Sequence, residues 1–422
     1  MTAGSSVRER KMHKKIQTQF LAPAYLAEFS CVGPLCSDTC CTTTWQIHLD
    51  KRTFSTYKNA KDLQLKPLFD KHVQRMRSAT DSSSFGKIVA VEGSSDCPML
   101  DKDRLCVIQK RLGESALSNT CHIYPRKISS LNGALHQVAS LSCPEAARLA
   151  LSTPGAMSFI TLPSSVRHEL MPSAPASLSK VRQEIAQDIH YFCLTLLSES
   201  SLSLWQALAI CGVVCQRIEE QPELLSSRTE SAALIEAIKI SLEQPDGILH
   251  DFSVVKANRE YQAKLFYFLA SLPLTVKKAS SNLRWADLLT RMNAVLGEEK
   301  EGFLAAYPQV MSEWDDKIKQ QDLDYVLRNY LINLALVRTF PLGPGMSAMQ
   351  AFSSLVVSYL WVRSFSAVLS SREGKANLDD MIHVVQTLER VFEHDQLYMR
   401  AMAQGLSSCG YTSLESMLPL LL

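Results

Sequence analysis

The sequence predicts a mainly α protein in two parts, a small cysteine-rich α+β domain followed by a large all-α helical region. Three observations carry that prediction. Eight of the twelve cysteines fall between residues 31 and 143, among short alternating segments and turns. From about residue 177 onward, apolar residues recur at spacings of three and four, as on a helix face. Between the two, STPGAMSFITLPSSVRHELMPSAPASLS (152–179) concentrates prolines and serines, as a boundary does. The chain divides on this reading into a basic arm (1–19), a cysteine-rich metal-binding domain (20–155), a Pro/Ser-rich linker (156–176) and an α-helical domain (177–422).

Composition excludes several classes. With 46% hydrophobic and 20% charged residues the chain can bury a sizeable core and is not disordered. A net charge of +2 excludes a strongly basic nucleic-acid binder and a strongly acidic solvating chain, so no nucleic-acid partner is expected. The first twenty residues carry Arg8, Arg10, Lys11, Lys14 and Lys15 but no apolar core of the kind a secretion signal needs. A cytoplasmic location and a solvated arm are the expectation. Ala348 to Val362 reads as a continuous apolar helix, shorter than the ~20 residues a bilayer requires. A buried helix is expected there and no transmembrane segment, with peripheral membrane association left open.

In chain order, FLAPAYLAEFS leads into Cys31, and Gly33-Pro34 forces a turn between Cys31 and Cys36. WQIHLD alternates, with Trp45, Ile47 and Leu49 on one face of a strand. Phe54, Tyr57, Leu65, Leu68, Phe69, Val73 and Met76 give a partial helical stripe, TDSSSFG turns the chain, and KIVAVEG is a short strand. MLDKDRLC reads as a hairpin that brings Cys97 and Cys106 together. Pro125 pushes Tyr124 toward an extended conformation. Cys143 precedes Pro144-Glu145, the start of a helix whose positive end favours the thiolate. Beyond the linker, helices are expected along Leu178–Leu196, near 201–219, 229–243, 257–271 and 282–297, along Leu323–Leu334, and near 347–370 and 377–404.

The cysteine spacings are C-x4-C-x3-C-C (Cys31, Cys36, Cys40, Cys41) and C-x8-C-x14-C-x21-C (Cys97, Cys106, Cys121, Cys143). Thiols gathered so densely in a reducing compartment are metal ligands more often than disulfide partners, and all eight are candidate ligands. The spacings match neither the paired knuckles of a zinc ribbon nor a ferredoxin run, so zinc and iron–sulfur both stay open, as do one centre and two. Adjacent Cys40 and Cys41 are expected to point apart and to share no metal ion. Cys193, Cys211, Cys215 and Cys409 lie on apolar helix faces and read as core. His122, beside Cys121, could ligate or donate a proton, but a neighbouring histidine is more often a surface or packing residue and is read so. Tyr124 and Arg126, flanking Pro125 beside Cys121, are candidate catalytic residues, the arginine to fork a carboxylate and the tyrosine to orient an amine. The chain shows no phosphate loop, G-x-S-x-G, H-E-x-x-H or strand-to-helix G-x-G-x-x-G, which disfavours a nucleotide-fold enzyme.

FSCVGPLCSDTCCTTTWQIHLD, CPMLDKDRLCVIQKRLGESALSNTCHIYPR and LSCPEAARLAL together resemble the bacterial flagellin lysine N-methylases, a likeness covering roughly residues 20–150. They also resemble the wider set of cysteine-rich zinc- or iron-chelating domains that end in a double cysteine. The resemblance implies a cytoplasmic enzyme that moves methyl groups from S-adenosylmethionine to flagellin lysines, dependent on a [4Fe–4S] cluster bound by these cysteines. The radical-type C-x3-C-x2-C pattern is absent: Cys36 and Cys40 satisfy its first spacing and its third position falls on Thr43. The alternative is a non-catalytic metal-binding or electron-carrying module fused to a helical interaction domain.

Overall fold

The longest strand pairing in the molecule joins the two ends of the cysteine-rich part. In the computed structural model, which describes residues 13–42, 46–77, 82–94, 96–172, 178–280, 282–393, 398, 402, 405–406, 408 and 410–422, strand β1 (Lys15–Pro23) begins the described chain. Trp45, Thr43 and Cys409, like the first twelve residues and 173–177, lie outside the described residues.

The short helix α1 (Tyr25–Glu28) leads from β1 to the first cysteines. A small antiparallel sheet follows, built from β2 (Ile47–Leu49), β3 (Val73–Arg75) and β4 (Gly86–Ile88) in the order β2-β4-β3, with α2 (Lys51–Lys58) and α3 (Leu65–His72) packed on it. Ile47 and Leu49 are buried on one face, as their alternation predicts. Asp50 caps α2 by accepting from the amides of Arg52 and Thr53. Next come α4 (Val107–Leu112), α5 (Asn119–Ile123), a hairpin of β5 (Arg126–Leu131) and β6 (Ala134–Ala139), and α6 (Pro144–Leu151). The hairpin turns at Asn132-Gly133, both at positive φ, as a two-residue turn of this hand requires. Strand β7 (Phe159–Arg167) completes a second sheet in the order β5-β6-β1-β7. β1 runs antiparallel to β7 from Lys15↔Arg167 to Pro23↔Phe159 and parallel to β6 at Leu21↔His136.

This corrects the domain boundaries. Residues 156–176, expected as a linker, contain β7, whose alternating Phe159, Thr161, Pro163 set faces solvent while Val166 and Arg167 are buried. The basic arm likewise ends in strand, since Lys15–Gln19 belong to β1. Nor does the cysteine-rich part have one core of its own. Tyr25, Leu26, Phe29, Val138, Leu141 and Ala146 belong to the same core as the helical region, and only residues 46–117 enclose a separate small one around Tyr57, Leu65, Phe69, Met99 and Ile108.

The helical region comprises α7 (Lys180–Ser198), α8 (Leu204–Glu220), α9 (Arg228–Glu243), α10 (Ile248–Phe252), α11 (Arg259–Ala270), α12 (Pro273–Ala279), α13 (Leu283–Leu296), α14 (Lys300–Gln320), α15 (Asp324–Arg338), α16 (Ala348–Glu373), α17 (Leu378–Phe392) and α18 (Leu414–Leu421). The inward stripes behave as the spacing predicts: Leu327 and Leu331 of α15 are buried, as are Ile185, Ile189 and Leu196 of α7. α16 runs through the middle, touching α8, α13, α14, α15 and α17, and is longer than the apolar run ending at Val362 suggests. Its segment Ala348–Ser371 is long and apolar enough to cross a membrane by length and composition, but 89% of its apolar 18-residue stretch is buried within the protein. Trp361 of α16 stacks on Trp285 of α13 at 5.4 Å between ring centroids, with Phe365 edge-on at 5.3 Å from Trp285. Gly212 lets α8 approach α16, because a Cβ there would stand 2.6 Å from Phe352 and 2.5 Å from Leu414.

Candidate metal centre

The site begins with local turns. Gly33, at φ +56°, opens a single 3-10 turn with Pro34 that carries the chain from Cys31 to Cys36. Cys41 then meets the second quartet through the backbone: its carbonyl accepts from the Cys97 amide at 3.1 Å, and Thr42 bridges to Asp96. The expected MLDKDRLC hairpin forms, with the Asp101 amide donating to the Leu105 carbonyl at 2.9 Å and Leu100 bridged to Cys106. Ser118 caps α5 by accepting from the Cys121 amide at 3.2 Å, and Cys143 is the residue before α6.

These turns surround one cavity of about 280 Å³ whose wall includes all eight cysteines together with Tyr124, Arg126 and His122. The spatial grouping differs from the sequence grouping. Cys41, Cys97, Cys106 and Cys121 are mutual electrostatic neighbours, as are Cys31, Cys36 and Cys143. Cys40 stands between the sets, beside Cys41, Cys121 and Cys143. The adjacent pair does not diverge as expected: the two thiols interact, which raises Cys40 and draws Cys41 below its ordinary range. Among the described residues, no three Cys, His, Asp or Glu side chains have converged tightly enough to hold a single ion.

Burial decides the state of the remaining thiols in the bare chain. It pushes Cys97 and Cys121 up to about 12, and raises Cys36 and Cys106. Cys143 is pushed up to about 11, so desolvation outweighs the amides of α6 that were expected to favour its thiolate. Cys121 lies deep in the protein yet is exposed, because its bare surface is cavity surface. His122 is held neutral, its value lowered to about 4 by burial and then by Arg167. Its Nδ1 lies 3.1 Å from Glu114 without the alignment of a hydrogen bond, consistent with a packing role.

The two candidate catalytic residues both reach the cavity. Burial lowers Arg126, whose guanidinium sits 5.0 Å from the Phe29 ring and makes no hydrogen bond or ion pair among the described residues. Tyr124 is raised by burial and bonded to Ser142 Oγ at 3.1 Å. Cys193, Cys211 and Cys215 are fully buried on helices away from the cavity, as their apolar faces predict.

Residues far along the chain hold the site. Arg167, at the end of β7 and 1% exposed, donates to the carbonyls of Leu117 (2.9 Å), Glu114 (3.2 Å) and Ser115 (3.3 Å) and to Asn119 Oδ1 (2.8 Å), fixing the loop that leads into α5. The first cysteine loop is held from the helical region. Arg284 of α13 donates to the Ser37 carbonyl at 2.9 Å, while Gln386 and Arg390 of α17 donate to Asp38 Oδ2 at 2.7 Å and the Thr39 carbonyl at 3.0 Å. A groove of about 340 Å³ between that loop and α13 and α17 shares Val32, Cys36, Pro144 and Glu145 with the cavity wall.

A thiol-walled cavity supported by an all-helical body defines a class of cysteine-site protein distinct from nucleotide-fold enzymes, and comparison with known proteins identifies which. Residues 190–420 match the family model described as the FliB lysine N-methylase C-terminal domain. The chain is 27% identical over 380 residues to the lysine-N-methylase of Salmonella typhimurium (strain LT2), covering 88% of this chain and 91% of that one, and equally to that of Salmonella choleraesuis. It is 36% identical over 149 residues to the flagellar biosynthetic protein FliU of Salmonella muenchen, covering 35% of this chain and 86% of that one. No solved structure matches the chain. The chain belongs to the FliB lysine N-methylase family and is a lysine N-methyltransferase.

Proposed function

We propose that the protein moves methyl groups from S-adenosylmethionine to the side-chain amines of flagellin lysines, in the cytoplasm, with an iron–sulfur centre held by the cavity cysteines. The observation that carries this reading is the gathering of all eight thiols with Tyr124 and Arg126 around one cavity. The donor set fits the group: soft thiolates select iron–sulfur clusters and zinc, and buried thiols that are protonated in the bare chain give up their protons to a bound cation. Cys31, Cys36, Cys40, Cys41, Cys97, Cys106, Cys121 and Cys143 are the ligands available. A bound [4Fe–4S] cluster supplies a redox-active or Lewis-acidic iron site, and zinc is the alternative occupant.

The chain's own residues do the rest. Arg126 lines the cavity with no hydrogen-bonded carboxylate, so its planar fork is available to the donor's carboxylate. Tyr124 orients the lysine amine, which must lose a proton before it attacks a methyl sulfonium. The groove beside α13 and α17 offers an extended protein substrate a way to the cavity; of its two acids, Glu145 is paired with Arg148 at 2.7 Å and Asp379 remains to meet a cationic side chain.

Anaerobic purification followed by iron, zinc and sulfide analysis, with methyl incorporation into flagellin read by mass spectrometry, tests the reading. Iron and sulfide in equal amounts with methylated lysines are expected. Zinc without sulfide refutes the cluster, and a loaded protein that leaves flagellin unmodified refutes the substrate.

A further inference from the structure

From the cavity, a line of hydroxyls leads into the protein that neither metal binding nor donor binding uses. Tyr124 Oη bonds Ser142 Oγ at 3.1 Å, and Ser142 Oγ bonds Ser140 Oγ at 2.6 Å. Ser140 Oγ in turn donates to Glu393 Oε2. Glu393 is 3% exposed, and its other oxygen accepts from Lys127 Nζ at 2.7 Å, a side chain that is 40% exposed. Ser140 and Ser142 are buried, and Gln386 pins the segment by donating to the Ser142 carbonyl at 3.0 Å.

The carboxylate at the far end sets the direction of every bond in the line. An ionised carboxylate only accepts, so Ser140 must donate to Glu393. The Ser140 oxygen then accepts from Ser142, the Ser142 oxygen accepts from Tyr124, and the oxygen of Tyr124, a residue of the cavity wall, keeps acceptor capacity of its own. A cationic amine entering the cavity therefore meets an oxygen that can take its proton while passing its own along.

We propose that Tyr124, Ser142, Ser140 and Glu393 form a proton relay that deprotonates the substrate lysine and carries the proton out of the cavity to the solvent edge at Lys127. The inference rests on the methyl-sulfonium reading above. Each transfer forms one bond from the lysine nitrogen to the methyl carbon and breaks the methyl–sulfur bond, whose electron pair stays on sulfur as a neutral thioether. The substrate starts as an ammonium and ends as a methylammonium, so one proton leaves per methyl group. The relay delivers it to Glu393, and no oxidant or reductant is consumed. The hydroxyls hand protons along without ionising, as suits Tyr124, which burial holds protonated.

The surroundings of Glu393 suit an acceptor that must also release. Lys127 of β5 favours its charge, and Arg338, at the end of α15, shares a small cleft with it. Glu389, one turn earlier on α17, is pushed up to about 7 by burial and then by the Glu393 charge, and bonds Tyr330 Oη at 2.8 Å. Among the described residues, Tyr25 and Tyr398 also stand beside it. Below about pH 7 a neutral Glu389 spares Glu393 a second negative charge at close range.

Ser142→Ala cuts the relay while leaving all eight candidate ligands and Arg126 in the sequence; Glu393→Gln, which keeps an amide in place of the carboxylate, serves if the alanine variant does not fold. Methyl transfer to flagellin from S-adenosylmethionine is measured from pH 7 to 9.5, alongside metal content and circular dichroism. A cut relay leaves only substrate deprotonated in solution, so the variant should lose about 100-fold in kcat at pH 7. Free lysine amine grows about tenfold per pH unit below its pKa of about 10.4, so the deficit should shrink steadily toward pH 9.5. A positional defect would instead give parallel curves at constant deficit. Parallel curves, or a variant equal to the parent at pH 7, overturn the relay. A parent chain inactive at every pH overturns the donor or substrate reading, and the relay with it.

Discussion

Arg167→Ala should dissolve one edge of the cysteine site while sparing the helical body. The guanidinium makes two short bonds, to the Leu117 carbonyl and Asn119 Oδ1, and two longer ones, to Glu114 and Ser115. Hydrogen bonds from a charged donor contribute about 1.5–3 kcal/mol each, and a buried acceptor left bare costs about 1–3 kcal/mol. Water can enter the space left by the side chain and serve the two weaker acceptors, so the two short bonds set the scale, and the loss is about 3–5 kcal/mol. Because the acceptors all lie in residues 114–119, the loss is local. Hydrogen exchange followed by mass spectrometry should show protection falling across 114–123 while α8 and α16 keep theirs, and metal content should fall with Cys121 unfixed. Unchanged exchange in 114–123, or protection lost evenly along the chain, would refute the clamp.

Serine at Cys36 or Cys121 should abolish methyl transfer and lower metal content, because a hydroxyl is a poor ligand for iron or zinc, whereas Cys211→Ser should cost only about 1–3 kcal/mol of stability and keep most activity. Methyl incorporation and metal analysis on each folded variant decide it, and full activity in the Cys36 and Cys121 variants removes them from the ligand set. Glu389 has a folded value near 7 against an ordinary 4.5, so the stability it contributes is complete below about pH 4.5 and is lost as pH rises through 7. Glu389→Gln should therefore remove up to about 3 kcal/mol of pH-dependent loss between pH 5 and 8, read from denaturant midpoints; parallel pH curves for parent and variant would contradict it. Gly212→Ala should destabilise by about 1–3 kcal/mol through its clash with Phe352 and Leu414, and an unchanged midpoint would show that α8 and α16 can move apart.

The helical body was legible because its stripes are strong: Leu327, Leu331, Ile185 and Ile189 all face inward as spacing dictates. α14 escaped notice although Phe303, Tyr307, Met311, Trp314 and Ile318 keep helical spacing, because Pro308 interrupts the pattern; the helix carries that proline on its partly exposed face. The β5–β6 hairpin also escaped, although Asn132-Gly133 between extended segments is a strong turn signal. β7 was concealed by Pro163 and its serines, which an edge strand tolerates. At the site, the cysteines, Tyr124 and Arg126 were legible from local clustering. Arg167, Arg284, Gln386, Arg390 and Glu393 were not, since a residue that acts by reaching across the fold leaves no spacing to read.

That reach has a consequence for how the protein is made. The carbonyls of Ser37 and Thr39 wait for partners 247 and 351 residues further along the chain, and β1 waits for β7. Contacts of such separation form late, after the entropy of closing long loops has been overcome. On an elongating chain the first four thiols therefore stand in the open until α13 and α17 have emerged. The cavity can be completed, and whatever fills it retained, only once nearly the whole polypeptide has left the ribosome.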